Sequence, residues 1–108
     1  NNLTDVPAFE IDFMKAVPTT WNETLYVDGY PGKYAVIARR HNNQWYVAGV
    51  NGQKEPVKIK VQLPMFAGKK VNMYNDDKEK ATFLKEVTVK KNGELEVEIQ
   101  SGGGFVLK

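Results

Sequence analysis

The sequence predicts an all-β domain, an antiparallel β-sandwich of about eight strands, preceded by one short N-terminal helix. Three observations carry this. From Trp21 onward the apolar residues recur with period two in short runs rich in Val, Ile, Tyr and Phe. Gly, Asn, Pro and Asp interrupt those runs at short, regular intervals. After residue 20 no stretch repeats its apolar residues at helical spacing, so strands must cover strands.

The helix comes first. In DVPAFEIDFMKAV (5–17), Val6, Phe9, Phe13, Met14 and Val17 fall on one helical face. Thr4 or Asp5 suits a cap, Pro7 suits a first turn, and Pro18 stops the pattern. The predicted helix runs from Pro7 to Ala16, and its apolar stripe is wide for a lone helix on a small domain. The expected division is therefore 1–20 as helix and linker and 21–108 as the β-domain.

Eight strands follow: TLYVDG, KYAVIARR, QWYVAGVN, PVKIKVQL, KKVNMYND, TFLKEVTVK, ELEVEIQ and GGFVLK. In YAVIARRHNNQWYVAGV, Asn42-Asn43 suits a two-residue turn, because Asn tolerates the left-handed region. Arg40 then faces Trp45, Arg39 faces Tyr46 and Ala38 faces Val47, so each arginine can lie across a ring; a four-residue loop gives the same pairings and a three-residue loop shifts them by one. Tyr34, Val36 and Ala38 form one apolar face and Ala35 and Ile37 the other, which predicts central strands covered on both sides. In KEVTVKKNGELEVEI the hydrophobic pattern selects a three-residue loop, Lys91-Asn92-Gly93. That register sets Lys90 against Glu94, Val89 against Leu95 and Val87 against Val97.

Composition narrows the function. The chain has 108 residues, one histidine, no cysteine and a net charge of +2 with Lys and Glu interleaved. Disulfides, thiolate chemistry and cysteine-based zinc sites are excluded. No concentrated basic face points to nucleic acid, and no apolar run is long enough to span a membrane as a helix. The chain begins at Asn1 without a leader pattern and is expected to be a mature or excised piece of a longer protein.

No motif assembles a catalytic site. His41 has no second ligand nearby. SGGGF (101–105) lacks the following helix that a phosphate loop needs. NDDKEK (75–80) lacks the spacing of a calcium loop and reads as a solvated turn. Glu94, Glu96 and Glu98 share one strand face and suit opposing lysines rather than acid–base work. Glu23 is isolated. No catalytic, cofactor-binding or metal residue is thus expected, and Trp21, Tyr30, Arg40, Trp45 and Tyr74 are candidates for sugar or subunit contact.

Two longer patterns go further. AVPTTWNET (16–24) is followed by Gly32-Lys33-Tyr34, Ala38-Arg39-Arg40, Trp45-Tyr46 and a final Gly102-Gly103-Gly104-Phe105. In combination these resemble the C-terminal domain of glycoside hydrolase family 97, the α-glucosidase and α-galactosidase family found largely in Bacteroidetes. The resemblance spans about residues 7–108. It implies a non-catalytic sandwich that packs on an upstream (β/α)8 barrel and serves structure or oligomerisation. It makes residues 7–16 the end of the barrel's last helix. It places the family's catalytic carboxylates and calcium outside this chain, so no cofactor is expected here. It also implies a periplasmic or cell-envelope location. The expected partners are the upstream barrel of the same chain, a second copy and carbohydrate, with no nucleic acid and no membrane. A carbohydrate-binding module using exposed aromatics is the alternative, and an independent enzyme is the weakest reading.

Overall fold

A computed structural model describes residues 20–108. The helix expected over Pro7–Ala16 lies outside the described residues. All eight expected strands form: β1 (Glu23–Tyr30), β2 (Tyr34–His41), β3 (Gln44–Asn51), β4 (Val57–Gln62), β5 (Lys70–Asp76), β6 (Thr82–Thr88), β7 (Glu94–Ile99) and β8 (Gly104–Leu107). A six-stranded sheet in the order β1-β2-β3-β8-β5-β6 faces a two-stranded sheet of β4 and β7, and every pairing is antiparallel.

The core lies between the two sheets. Val36, Ala38, Val47, Phe105, Leu107, Val71 and Met73 come from the large sheet, and Ile59, Val61, Val97 and Ile99 from the small one. Fully burying a Phe, Leu or Ile side chain contributes about 1.5–3 kcal/mol, and Phe105, Leu63, Ile99 and Leu107 are all fully enclosed. Pro64–Phe66 form one 3₁₀ turn that starts on proline and drops Phe66 onto the end of this core. Pro64 suits the position because a first-turn N–H has no intrahelical partner to lose.

The β2–β3 hairpin forms as expected. Asn42 takes φ +55°, and Arg40↔Trp45, Arg39↔Tyr46 and Ala38↔Val47 are directly opposed. A bulge between Tyr26 and Asp28 shifts the register of β1, and Val27 packs against the core.

The late hairpin is a correction. The turn itself is present: Gly93 takes φ +88°, its N–H donates to the Lys90 carbonyl, and Lys90 N–H donates to the Glu94 carbonyl. The pairing stops there. Val89 N–H donates to the Lys69 carbonyl, and Val87 lies opposite Val71, so β6 follows β5. On β7, Val97 pairs with Ile59 and Leu95 with Val61. The same register sets Lys58 against Glu98 and Lys60 against Glu96. Opposite charges matched on the wet face and Val/Ile/Leu matched on the dry face make β4 a better partner for β7 than β6. The turn is therefore a corner between sheets.

Two buried asparagines fasten the layers. Asn51 Nδ2 donates to the carbonyls of Glu55 at 2.9 Å and Ile99 at 3.0 Å, while its Oδ1 accepts from Gln53 N–H at 3.0 Å. Asn75 Nδ2 donates to the Glu98 carbonyl at 2.9 Å. Each links the large sheet to the segment that carries β7.

Candidate interaction surface

The opening residues of the β-domain are stapled to the β2–β3 turn. Asn22 N–H donates to the Arg40 carbonyl, Asn42 N–H donates to Asn22 Oδ1 at 2.6 Å, and His41 Nδ1 lies 2.8 Å from the Thr20 carbonyl. A carbonyl only accepts, so Nδ1 carries the proton. His41 is thereby a structural donor that holds the incoming chain.

The two arginines work on opposite faces. Arg40 sits in one cross-strand row between Glu23 and Trp45, with its guanidinium 6.0 Å from the Trp45 ring and 3.3 Å from Glu23 Oε1. Both ends of that ion pair are solvent-accessible, so it contributes under about 1 kcal/mol. Arg39 faces the other way, 5.6 Å from the Trp21 ring, and Trp21 meets Tyr46 edge-on at 5.5 Å. Trp21, Ile37, Arg39, Tyr46, Ala48 and Val106 line one small apolar recess there.

The five expected contact residues do not share a surface. Trp21 and Tyr74 belong to the outer face of the large sheet, and Trp45 packs against the core between the sheets. Tyr30 is 64% exposed at the far end, on the β1–β2 hairpin. There a cleft of about 430 Å³ opens between Tyr26, Tyr30, Tyr34, Lys33, Ala35 and Val50. The Lys33 ammonium lies 5.7 Å above the Tyr30 ring, and Tyr34 donates to Asp28 Oδ2 at 3.2 Å. Burial, and then the Asp28 carboxylate, push the Tyr34 phenol up. Tyr26, 69% exposed, escapes sequence reasoning because a tyrosine in a strand is an ordinary core candidate. Its signal is positional: it stands on an edge strand next to a bulge.

Among the described residues no group of three or more His, Cys, Asp or Glu could hold a metal ion. One acid is unusual. Asp76 is 2% exposed, and neither of its oxygens has a good hydrogen bond among the described residues. Burial pushes this carboxyl up. The Gly104 N–H and the Lys80 ammonium pull it back, and Asp77 adds to the rise. The NDDKEK turn is therefore wet only from Asp77 onward, where Asp77 Oδ1 accepts from the Glu79 and Ala81 N–H groups.

A family model described as "Glycosyl-hydrolase 97 C-terminal, oligomerisation" matches residues 20–108. The chain belongs to the glycosyl-hydrolase 97 C-terminal family. It is 31% identical to a retaining alpha-galactosidase of Bacteroides thetaiotaomicron, over 89% of this chain and 15% of that protein. A crystal structure of a beta-arabinopyranosidase superposes with TM-score 0.84 at 56% identity, covering 99% of this chain and 17% of the other. A glycoside hydrolase family 97 enzyme from Pseudoalteromonas sp. strain K8, in complex with panose, shares the fold at TM-score 0.71 and 21% identity. That match covers 90% of this chain and 17% of the enzyme. The chain thus spans about a sixth of the length of the relatives it matches. It is a C-terminal accessory domain of the glycoside hydrolase 97 type.

Proposed function

We propose that this domain belongs to a glycosidase whose chemistry is done elsewhere in the chain, and that it packs on the catalytic barrel and supports subunit contacts. The observation that carries the reading is the family match over residues 20–108, set in relatives six times longer. The parent activity follows from the same relatives: hydrolysis of a pyranoside of the galactose or arabinose class, with the 56% identical arabinopyranosidase favouring the pentose. In this reading no side chain of the fragment touches the reacting bond.

The test is deletion of residues 21–108 from the full-length enzyme, followed by size-exclusion with light scattering and a melting curve. A smaller assembly and a lower melting temperature are expected. Unchanged mass and stability would refute the role. Turnover of chromogenic arabinopyranosides and α-galactopyranosides by the full-length enzyme assigns the substrate.

Carbohydrate contact is the second reading, and one observation favours it: Tyr26 and Tyr30 stand exposed in a single cleft. Aromatic faces of this kind can stack on a pyranose ring. Titration of the domain with arabinose- and galactose-containing oligosaccharides, read by amide shifts of residues 26–35, decides it. No shift at millimolar sugar would end this reading.

A further inference from the structure

The large sheet ends on β6, and among the described residues no strand pairs with the outer side of it. Its register with β5 runs unbroken from Lys70↔Thr88 to Asp76↔Thr82, and the strand holds no proline or glycine. Just beyond its two ends, Asp77 N–H donates to the Ala81 carbonyl and Val89 N–H to the Lys69 carbonyl. Hydrogen-bonded pairs alternate along an antiparallel ladder, so the odd-numbered residues of β6 turn their N–H and C=O toward β5. Thr82, Leu84, Glu86 and Thr88 turn theirs outward. Leu84 is also the open end of an apolar row on the outer face, where Tyr26, Ile37, Ala48, Val106, Tyr74 and Leu84 are opposed in turn. It is 58% exposed.

We propose that β6 is the edge through which two copies of this chain join, antiparallel, with Leu84 on the two-fold axis. The proposal rests on the subunit-contact role above and names its surface. A two-fold axis normal to the sheet keeps each face continuous, because directly opposed residues share a face. Only axes through Leu84, Lys85 or Glu86 then overlap five or more residues of β6. An axis at Lys85 sets lysine against lysine, and one at Glu86 sets glutamate against glutamate, both unfavourable. An axis at Leu84 sets Leu84 on Leu84, Phe83 against Lys85 and Thr82 against Glu86, with no like charges opposed. Its outward-facing pairs supply about six new backbone bonds, the source of affinity in strand addition. The apolar row then continues across the junction into its own image.

The other edges are closed to self-pairing. The bulge between Tyr26 and Asp28 breaks β1. On the small sheet, β4 carries Lys58 and Lys60 on one face, and β7 carries Glu94, Glu96 and Glu98. Pairing either strand with its own copy over five residues sets like charges opposite one another. Bulges and charged residues are the devices that keep an edge unpaired. On β6 the two charges have opposite sign and lie on opposite faces, Lys85 across from Met73 and Glu86 across from Asn72. A strand of another protein would require no such self-complementarity, and the family description names oligomerisation.

The test uses the full-length enzyme, with the unsubstituted enzyme as the blank for thiols elsewhere in it; the 108-residue chain has no cysteine of its own. Thr82, Leu84 and Glu86 are all exposed, so substitution there leaves the core alone. Leu84→Cys puts two thiols on directly opposed residues with Cα atoms about 5.5 Å apart, within the range a disulfide spans. Thr82→Cys or Glu86→Cys alone leaves the thiols about 14 Å apart along the strands. The double variant pairs each with the other. After mild oxidation, a doubled mass on a non-reducing gel is expected for Leu84→Cys and for the double variant, and for neither single. Leu84→Lys sets two ammonium groups face to face, so the light-scattering mass should fall while far-ultraviolet circular dichroism is unchanged. An enzyme dispersed by deleting residues 21–108, yet without a Leu84→Cys cross-link and with its mass kept by Leu84→Lys, would overturn the proposal and leave the subunit role standing. A cross-link from Glu86→Cys alone would move the axis and overturn it too. A parent enzyme that is a single subunit would remove both the role and the proposal.

Discussion

Gly49 offers the sharpest test of how this sandwich is packed. It lies opposite Phe105, and a methyl group built on it falls 2.3 Å from Phe105 Cε2 and 3.0 Å from both Cδ2 and Cζ. Carbon atoms rest at about 3.5–4.0 Å, so the ring must retreat by about 1.2 Å. It has little room, because Phe105 is fully buried. Overpacking of this kind costs about 1–3 kcal/mol, occasionally more, and a contact this short belongs at the upper end. Replacing glycine in a strand recovers up to about 1 kcal/mol through the unfolded chain. The net expectation for Gly49→Ala is a loss of about 2 kcal/mol, or roughly 8–16 °C in melting temperature for a domain of this size. Urea unfolding followed by Trp fluorescence supplies the number. Two further variants isolate the cause. Phe105→Leu removes the struck atoms, so the double variant should lose less than the sum of the singles, with a coupling of about 1–2 kcal/mol. Gly52→Ala, whose methyl group meets only the Lys33 carbonyl at 3.7 Å, should change stability by less than about 0.5 kcal/mol. A Gly49→Ala protein within 0.5 kcal/mol of the parent, or one whose loss Phe105→Leu leaves untouched, would refute the reasoning.

Three other expectations follow from the same packing. Asn51→Ala strands the carbonyls of Glu55 and Ile99 in the interior and should cost about 2–3 kcal/mol by urea denaturation. Asp76 has a carboxyl raised by burial, so its folded pKa exceeds its unfolded value. Such a group favours the fold fully below the unfolded pKa, and that contribution is lost as pH rises through the folded pKa. Asp76→Asn should therefore gain stability relative to the parent at pH 7 and not at pH 3, and an equal effect at both pH values would show that the carboxyl is not the cause. Lys60→Glu sets like charges opposite Glu96 and should cost about 1 kcal/mol at low salt, shrinking in 1 M sodium chloride.

What the sequence reveals here depends on how far apart the deciding residues lie. The β2–β3 register is legible because Asn42-Asn43 and the residues it pairs are contiguous. The corner at Lys91–Gly93 is legible only up to Lys90 and Glu94. Beyond them β7 must choose a partner, and the lysine-and-aliphatic pattern of β4 lies more than thirty residues upstream. Local alternation cannot rank the two, since β6 also offers valines on one face. Burial of Asp76 is hidden for a related reason. NDDKEK is polar throughout, and its second residue lies against Gly103 and Gly104, far along the chain. Asn51 ends an expected strand, and nothing local to it tells that its side chain reaches the carbonyls of Glu55 and Ile99. Trp21, Trp45 and Tyr30 are distributed over two faces and two ends by registers that no single segment encodes.

The row across the outer face and the glycine run near residue 104 have one cause, the position of β8. The large sheet consists of two blocks, β1–β3 and β5–β6, and they are joined only through Gly104–Leu107. Each residue of that run answers a different neighbour. Gly102 takes φ +65° in the turn from Gln100. Gly103 passes where a methyl group would lie 3.0 Å from Asp76 Oδ2. Phe105 fills the space that Gly49 leaves, and Val106 closes the gap between Ala48 and Tyr74. The ending therefore suits a strand that lies between two blocks, with a tight turn at Gly102 on one side and Phe105 in the core on the other. The insertion brings together residues some sixty positions apart, a loop closure that costs entropy before contacts repay it. The outer row across the sheet is continuous only through Val106, which lies opposite both Ala48 and Tyr74.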